Sequence, residues 1–191
     1  NSKVKDISKT KFDLLFFSRD VDQTIIGERY YDRYIDPIYD ACSKDYKCLK
    51  VNFNSSLTDN KNYINPVYNI KASILSRIKQ KTRRYFSTNP YLEGLENLSE
   101  TYFNLTEKKI DVDWVNEQLT AIVESRNFFK LFFEKVKPKV IFVVWYHSPQ
   151  FMGAILAAKS LGIKSVDIQH GIPRDYHPSY FYWNNIPSEG Y

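Results

Sequence analysis

The chain has few of the features that mark secreted, membrane-spanning or metal-bound proteins. It contains only two cysteines, Cys42 and Cys48, and no CxxC pair, so neither a dense disulfide framework nor a cysteine zinc site is expected. No apolar run is long enough to span a bilayer, and none has the pattern of a secretory signal peptide. These absences predict a protein of the reducing cytoplasm whose thiols are free.

The common catalytic signatures are missing as well. There is no HExxH, no GxSxG, no Walker loop, and no GxGxxG after a predicted strand. This counts against zinc proteases, serine hydrolases, P-loop ATPases and ordinary dinucleotide dehydrogenases. The three histidines have no carboxylates at ligand spacing, so we predict no metal site.

Positive charge is present in excess and is concentrated in one segment. The formal net charge is +5, and six basic residues interleaved with isoleucine and leucine predict an amphipathic helix over Lys71–Arg84. Such a helix can rest on an anionic membrane surface or hold phosphate groups, and a solvated helix face is the alternative. No helix-turn-helix, RNP-type or zinc-finger signature accompanies the charge, so no nucleic-acid partner is predicted.

The most informative stretch is Lys139–Gly171, which predicts a βαβ unit. The apolar run Val140–Trp145 is followed by a polar break, and Pro149 suits the first turn of a helix. Alanine and leucine then recur at helical spacing up to Gly162, where a glycine that ends a helix is expected. A second β-branched run, Ile163–Ile168, leads into Gln169-His170-Gly171.

The first fifty residues predict a second alternation of strand, helix and strand. Phe12–Phe17 is a compact apolar run typical of a buried strand. Glu28–Ser43 has tyrosine and isoleucine at three- and four-residue steps, which predicts an amphipathic helix that is kinked or restarted at Pro37. Tyr46–Phe53 alternates apolar and polar residues and predicts a second strand.

The middle of the chain is less regular. Residues 54–110 are rich in polar residues and predict an insertion of short helices and loops. A long amphipathic helix is predicted from about Asp113 to Lys137, with Asp111 or Asp113 as its N-cap. The whole pattern predicts an α/β fold, a Rossmann-like doubly wound parallel sheet, in one domain over residues 1–191 that we expect to be part of a longer protein.

In such a sheet, ligands bind at the carboxyl ends of the strands. Three loops are therefore expected at one edge: Ser18–Asp22, Tyr146–Pro149 and Gln169–Asp175. Each candidate residue on or near these loops has a structural alternative, such as a capped strand end, a plain turn or a solvated surface. The candidates able to act as a general base or to orient a hydroxyl are His170, His147, His177, Asp20, Asp22, Glu28 and Asp175.

The sequence KPKVIFVVWYHSPQFMGAILAAKSLGIKSVDIQHG, with HPSYFYW after it, resembles the amino-terminal domain of bacterial surface-polysaccharide glycosyltransferases of the GT-B type. The segment FDLLFFSRDVDQTIIGERYYDRYIDPIYD also resembles the first strand and helix of such domains. Trp145 and His147 stand where the family has smaller or tyrosine-type residues. The resemblance covers about half of the chain and none of residues 54–110.

This resemblance implies one half of a GT-B fold, the half that holds the acceptor. A carboxyl-terminal half, absent from this chain, would bind the nucleotide-sugar, so no cofactor is expected in this domain. The predicted catalytic residues are His170, Asp20 and Glu28. The predicted substrate-binding residues are Gln169, Gly171, His147, Tyr146, Asp175 and His177.

The expected reaction is sugar transfer to lipopolysaccharide, capsule or a similar glycan. The partners would be a glycan or a lipid-linked glycan, with contact to the inner membrane surface through Lys71–Arg84. A non-catalytic sugar- or nucleotide-binding module would have the same fold. A structural domain that docks a partner through the aromatic segment Tyr180–Trp183 is a further alternative.

Overall fold

The computed structural model describes residues 10–53, 63–70 and 94–169. Their order is strand and hairpin, helix, two strands, two helices, and a final βαβ unit. The strands are β1 (Leu14–Arg19), β2 (Gln23–Ile26), β3 (Arg29–Asp32), β4 (Cys48–Phe53), β5 (Val67–Ile70), β6 (Val140–Val143) and β7 (Lys164–Asp167). The helices are α1 (Asp36–Cys42), α2 (Leu95–Thr106), α3 (Val112–Val136) and α4 (Pro149–Ser160).

Five of the strands form one parallel sheet in the order β5-β4-β1-β6-β7. Strand β1 lies at the centre and pairs with β4 on one side and β6 on the other, so that Leu14 is opposite both Cys48 and Val140. The chain thus adds strands outward from β1 in one direction and then, after β5, in the other. This is the order of a Rossmann-like doubly wound fold, and it confirms the predicted fold class.

Alternate residues of the central strand pack on opposite faces of the sheet, because successive side chains of a strand point to opposite sides. Leu15 and Phe17 face α3 and α4 and belong to a core that includes Phe129, Phe133 and Phe151. Leu14 and Phe16 lie on the other face, in a smaller core that α1 closes with Ile35 and Tyr39. Helices therefore cover both faces of the sheet.

The long helix and the final βαβ unit were predicted correctly. Asp111 is the N-cap of α3, since its side chain accepts from the backbone N–H of Trp114 at 2.9 Å. Ser148 caps α4 by accepting from the N–H of Phe151 at 3.3 Å, and Pro149 is the first residue of that helix. Gly162 follows the end of α4 with φ of +68°, a conformation that glycine adopts at little cost.

The predicted helix Glu28–Ser43 is wrong in its first half, where the chain forms the hairpin β2–β3. Gly27 and Glu28 both have positive φ, +52° and +68°, which is the two-residue turn whose twist matches a hairpin. Pro37 prevents a helix from starting much earlier than α1, because inside a helix its ring would clash with the carbonyl of Arg33. The helix begins instead at Asp36, with Pro37 in its first turn.

The segment predicted as an insertion, 54–110, contributes more than short helices and loops. It contains α2, as expected in kind, and also β5, which pairs parallel with β4 as an edge strand of the main sheet. The predicted basic helix Lys71–Arg84 lies outside the described residues. Within the described ranges, no helix is both long and apolar enough to cross a membrane.

Tyr39 and Cys48, which lie close together between α1 and β4, make the fold sensitive to alkali. Burial raises the pKa of Tyr39 from its ordinary 10.0 to about 12, and burial raises the pKa of Cys48 from 9.0 to about 11. The folded protein therefore keeps protons that the unfolded chain releases. This stabilisation is complete below the unfolded values and is lost as pH rises through the folded ones.

We therefore expect the free energy of unfolding, measured by urea denaturation, to fall steadily from pH 9 to pH 12. The Tyr39→Phe variant should show a shallower fall between pH 10 and 12, because phenylalanine has no proton to lose. Identical pH dependence in the variant and the wild type would contradict this assignment.

Candidate functional site

The carboxyl ends of β1 and β6 form the point where the winding of the sheet reverses. Because β1 pairs directly with β6, and β6 with β7, the loops after β1 and β6 lie at one edge with Ile168 and Gln169, as the sequence predicted. The rest of the predicted third loop lies outside the described residues. Open α/β sheets bind ligands in the crevice at such a point. We call this edge, with the loops 18–22 and 144–149, the carboxyl edge.

Arg19 and Trp145 meet at the carboxyl edge. The Arg19 guanidinium lies 4.3 Å from the centre of the Trp145 ring, close enough for an attractive cation–π contact. The same guanidinium donates twice to Asp22, from Nε at 2.9 Å and from a terminal nitrogen at 3.2 Å. Asp22, predicted as a candidate base, is therefore buried and engaged in an ion pair.

The loop after β6 brings an aromatic and imidazole group to the carboxyl edge. Trp145 has φ of +69°, which is strained for a bulky residue, and the turn closes with a hydrogen bond from the N–H of Ser148 to the carbonyl of Trp145 at 3.0 Å. The His147 ring lies 5.3 Å from the Trp145 ring and 5.7 Å from the Tyr146 ring. Tyr146 and His147, both predicted as binding residues, are half-buried neighbours at this edge.

Asp20 follows β1 directly and is held by a residue of β4. Its Oδ1 accepts a hydrogen bond from Nδ2 of Asn52 at 2.7 Å, and the same nitrogen donates to the hydroxyl of Tyr63 at 3.2 Å. Asp20 is half-buried, whereas Asn52 is completely buried and Tyr63 nearly so. The predicted carboxylate thus lies at the carboxyl edge, in a fixed orientation.

Polar residues of β1, β2, β3, α1 and β4 form one hydrogen-bonded group, which we call the buried polar cluster; all of its members are buried except Gln23, which is half-buried. Asp32 is its hub. Asp32 accepts from the Ser18 hydroxyl and from the backbone N–H groups of Tyr34 and Ile35, both at 3.0 Å. Gln23 donates to Ser18 at 2.6 Å. The cluster consists of Ser18, Gln23, Asp32, Asp36 and Lys50.

The charged members of the cluster are Lys50, Asp36 and Asp32, and all three are completely buried. Lys50 Nζ donates to Asp36 Oδ1 at 2.5 Å, and the other oxygen of Asp36 accepts from the backbone N–H of Asp32 at 2.7 Å. Burial lowers the pKa of Lys50 despite its acidic neighbours, and burial raises the pKa of Asp32 despite its hydrogen bonds. Both shifts reflect the cost of removing charge from water.

Neither this cluster nor Asn52 was predicted from the sequence. A signal was present in β4, CLKVNF, where period-two alternation puts Cys48, Lys50 and Asn52 on one face. Lysine is almost never fully buried unless it is paired. This face of β4 is buried because α1 packs over it. The position of α1 could not be predicted from a helix placed wrongly over Glu28–Ser43.

The remaining predicted site residues are either exposed or outside the described part of the chain. Glu28 is exposed at the tip of the β2–β3 hairpin, about 10 Å along the strands from Gln23 at its base. Glu28 is therefore separated from the base of the hairpin, and its catalytic role stays a prediction. Gln169 is exposed just beyond β7. Outside the described residues lie His170, Gly171, Asp175 and His177.

Among the residues the structure describes, no three side chains of His, Cys, Asp or Glu come together as a metal site would require. Comparison of the chain with protein-family models, with curated proteins and with solved structures gives no match. The geometry of the carboxyl edge, together with the sequence around it, is therefore the basis on which a function is proposed.

Proposed function

We propose that this chain is the acceptor-side half of a GT-B-type glycosyltransferase that acts in the assembly of a bacterial surface glycan. The observation that carries the proposal is the position of Asp20. It directly follows the central strand at the switch point of a Rossmann-like sheet. The residue before it, Arg19, packs against Trp145 of the aromatic loop Trp145–His147 that follows β6. A carboxylate and aromatic rings at the same edge of a sheet suit a sugar, whose hydroxyls need acceptors and whose ring faces stack on aromatics.

The first crossover supports an acceptor role over a nucleotide-binding one. In dinucleotide-binding folds, a glycine-rich turn and a helix N-terminus after the first strand hold the pyrophosphate. Here β1 is followed by a short 3₁₀ turn, Asp20–Asp22, with two carboxylates, and then by the hairpin β2–β3. Carboxylates at that position disfavour a phosphate, so the proposed donor site belongs to a second half of the enzyme.

In the proposed reaction, a base takes the proton from an acceptor hydroxyl while its oxygen attacks the anomeric carbon of the nucleotide-sugar. The bond from that carbon to the nucleoside diphosphate breaks, and the diphosphate leaves. Asp20 and His170 are the proposed bases. Tyr146, His147, Gln169, Gly171, Asp175 and His177 would contact the acceptor. A cytoplasmic location with Lys71–Arg84 on the inner membrane surface would bring a lipid-linked acceptor to the site.

The proposal is tested by sugar transfer with the full-length protein, using a panel of nucleotide-sugars and the glycan acceptors of its source. We expect the folded Asp20→Asn and His170→Ala variants to lose the larger part of transfer, on the order of 10²-fold for the one that supplies the base. The matched control is Asp45→Asn, the same change at an exposed position in the loop before β4, at the opposite end of the strands. It should transfer sugar at the wild-type rate.

Equal transfer by the wild type and both site variants would contradict the assignment of the base. Binding of a sugar or a nucleotide-sugar without any transfer would favour the non-catalytic module.

A further inference from the structure

Asn52 occupies an unusual position for an amide side chain. It lies in β4, opposite Ser18 of the central strand, and it is completely buried. Buried strand positions are normally apolar, because an amide taken out of water must recover its hydrogen bonds. The reason for an asparagine here must lie in the bonds that it makes.

Only the nitrogen of the Asn52 amide makes hydrogen bonds. Nδ2 donates to Asp20 and to the Tyr63 hydroxyl, whereas Oδ1 is buried with no hydrogen-bond partner among the described residues. The orientation of the amide is fixed, since a flip would turn the carbonyl oxygen toward the Asp20 carboxylate. Asn52 therefore acts as a donor directed at Asp20 and leaves its own acceptor unsatisfied.

An unsatisfied buried acceptor destabilises the fold, and an apolar residue of the same shape would remove that penalty. Leucine has nearly the shape of asparagine and suits the interior of a sheet. Functional sites often keep arrangements that lower the stability of the fold because activity requires them. A buried amide that donates to Asp20 while its own oxygen has no hydrogen-bond partner is typical of such a site.

We propose that Asn52 is a positioning residue for Asp20: its amide fixes the direction in which the Asp20 carboxylate points at the carboxyl edge. This inference rests on the proposed function, in which Asp20 contacts the acceptor hydroxyl. Asn52 itself is buried beneath that edge and does not touch the substrate. Its effect on sugar transfer is exerted entirely through Asp20.

The test is Asn52→Leu in the full-length protein, measured by the kinetics of sugar transfer and by thermal unfolding. We expect kcat to fall at least tenfold, because a displaced carboxylate is poorly aligned with the acceptor hydroxyl. The KM for the nucleotide-sugar should stay within twofold of the wild type, since the donor binds elsewhere. The Tm should be equal to or higher than that of the wild type, a combination that a merely structural role would not give.

The matched control is Asn65→Leu. Asn65 also donates its Nδ2 to an aspartate, Asp40, at 2.8 Å, but this pair is exposed and belongs to α1 rather than to the carboxyl edge. It should leave kcat, KM and the Tm near their wild-type values. If Asn52→Leu does not fold, Asn52→Ala removes the same donor with a smaller side chain. It should show the same result, a lower kcat with an unchanged KM for the nucleotide-sugar.

The outcomes separate this inference from the proposed function. Transfer that depends on Asp20 but is unchanged in Asn52→Leu would overturn the positioning role and leave the function standing. A fall in kcat that merely follows a fall in the Tm would assign Asn52 a structural role and also overturn the inference. Absence of transfer by the wild type would refute the proposed function, and the inference would fail with it.

Discussion

Replacing Lys50 by methionine is expected to lower the free energy of unfolding by about 3–5 kcal/mol. Lys50 and Asp36 have no exposed side-chain surface, and their charged atoms lie 2.5 Å apart. Methionine fills nearly the same space but leaves the Asp36 carboxylate, with Asp32 beside it, without the only buried cation of the cluster. Urea denaturation near neutral pH measures the loss directly.

Two further variants show whether the loss comes from the uncompensated charge. In Lys50→Met with Asp36→Asn the buried charge pair is gone, while an acceptor remains for the backbone N–H of Asp32, so most of the stability should return. Lys139→Met breaks an ion pair of similar length, 2.9 Å to Asp13, but Lys139 is 76% exposed. Its effect should be far smaller, because water and salt screen exposed pairs. Equal losses in Lys50→Met and Lys139→Met would contradict this account.

The second large effect is expected at Gly153, where the backbones of α3 and α4 lie close together. A Cβ added there would lie 2.5 Å from Cβ of Ser125 and 2.7 Å from both the backbone nitrogen of Arg126 and the carbonyl oxygen of Ile122. Backbone atoms of a helix cannot yield without moving the whole helix. We expect Gly153→Ala to destabilise the fold by about 3 kcal/mol, the upper part of the range for overpacked cores.

The sign of this effect is itself a test. Helix propensity alone would make alanine about 1 kcal/mol more favourable than glycine inside α4, so a net loss of stability reports the close contact. Adding Ser125→Gly should restore part of the loss, because it removes one of the three clashing atoms. A Gly153→Ala variant that is as stable as the wild type in urea denaturation would show that the helices are not packed this closely.

Much of the fold follows from local signals in the chain. The unit from β6 to β7 was predicted because an apolar run, a Ser148-Pro149 start and a Gly162 end are each read from neighbouring residues. The long helix α3 has a similarly local N-cap in Asp111. In these places sequence pattern and tertiary packing favour the same structure.

The wrong and missing predictions concern segments whose structure is determined by tertiary packing rather than by local sequence. The tyrosines after Gly27 fit a helical period, yet the left-handed turn at Gly27 and Glu28 starts a hairpin strand, and Asp32 ties the end of this hairpin to the start of α1. Strand β5 has only four residues in a polar setting, and its place beside β4 is set by pairing rather than by its own pattern. Lys50 and Asn52 look like exposed strand residues until α1 and Tyr63 cover them.

The same division applies to the candidate site. The position of Asp20, Tyr146 and His147 at the carboxyl edge was predicted from topology alone, because polar loops after parallel strands meet at one edge. The contacts that fix the side chains at this edge were not predicted. Arg19 on Trp145 and Asn52 on Asp20 are contacts between residues that are distant in sequence.

The central claim, that this fold transfers a sugar at its carboxyl edge, is tested most directly by product formation from nucleotide-sugars with the full-length protein. The account predicts a glycosylated acceptor and one free nucleoside diphosphate for each sugar transferred, with little product from Asp20→Asn and full product from Asp45→Asn. Sugar or nucleotide-sugar binding in calorimetry without any product, or product formation that is equal in all three proteins, would contradict it.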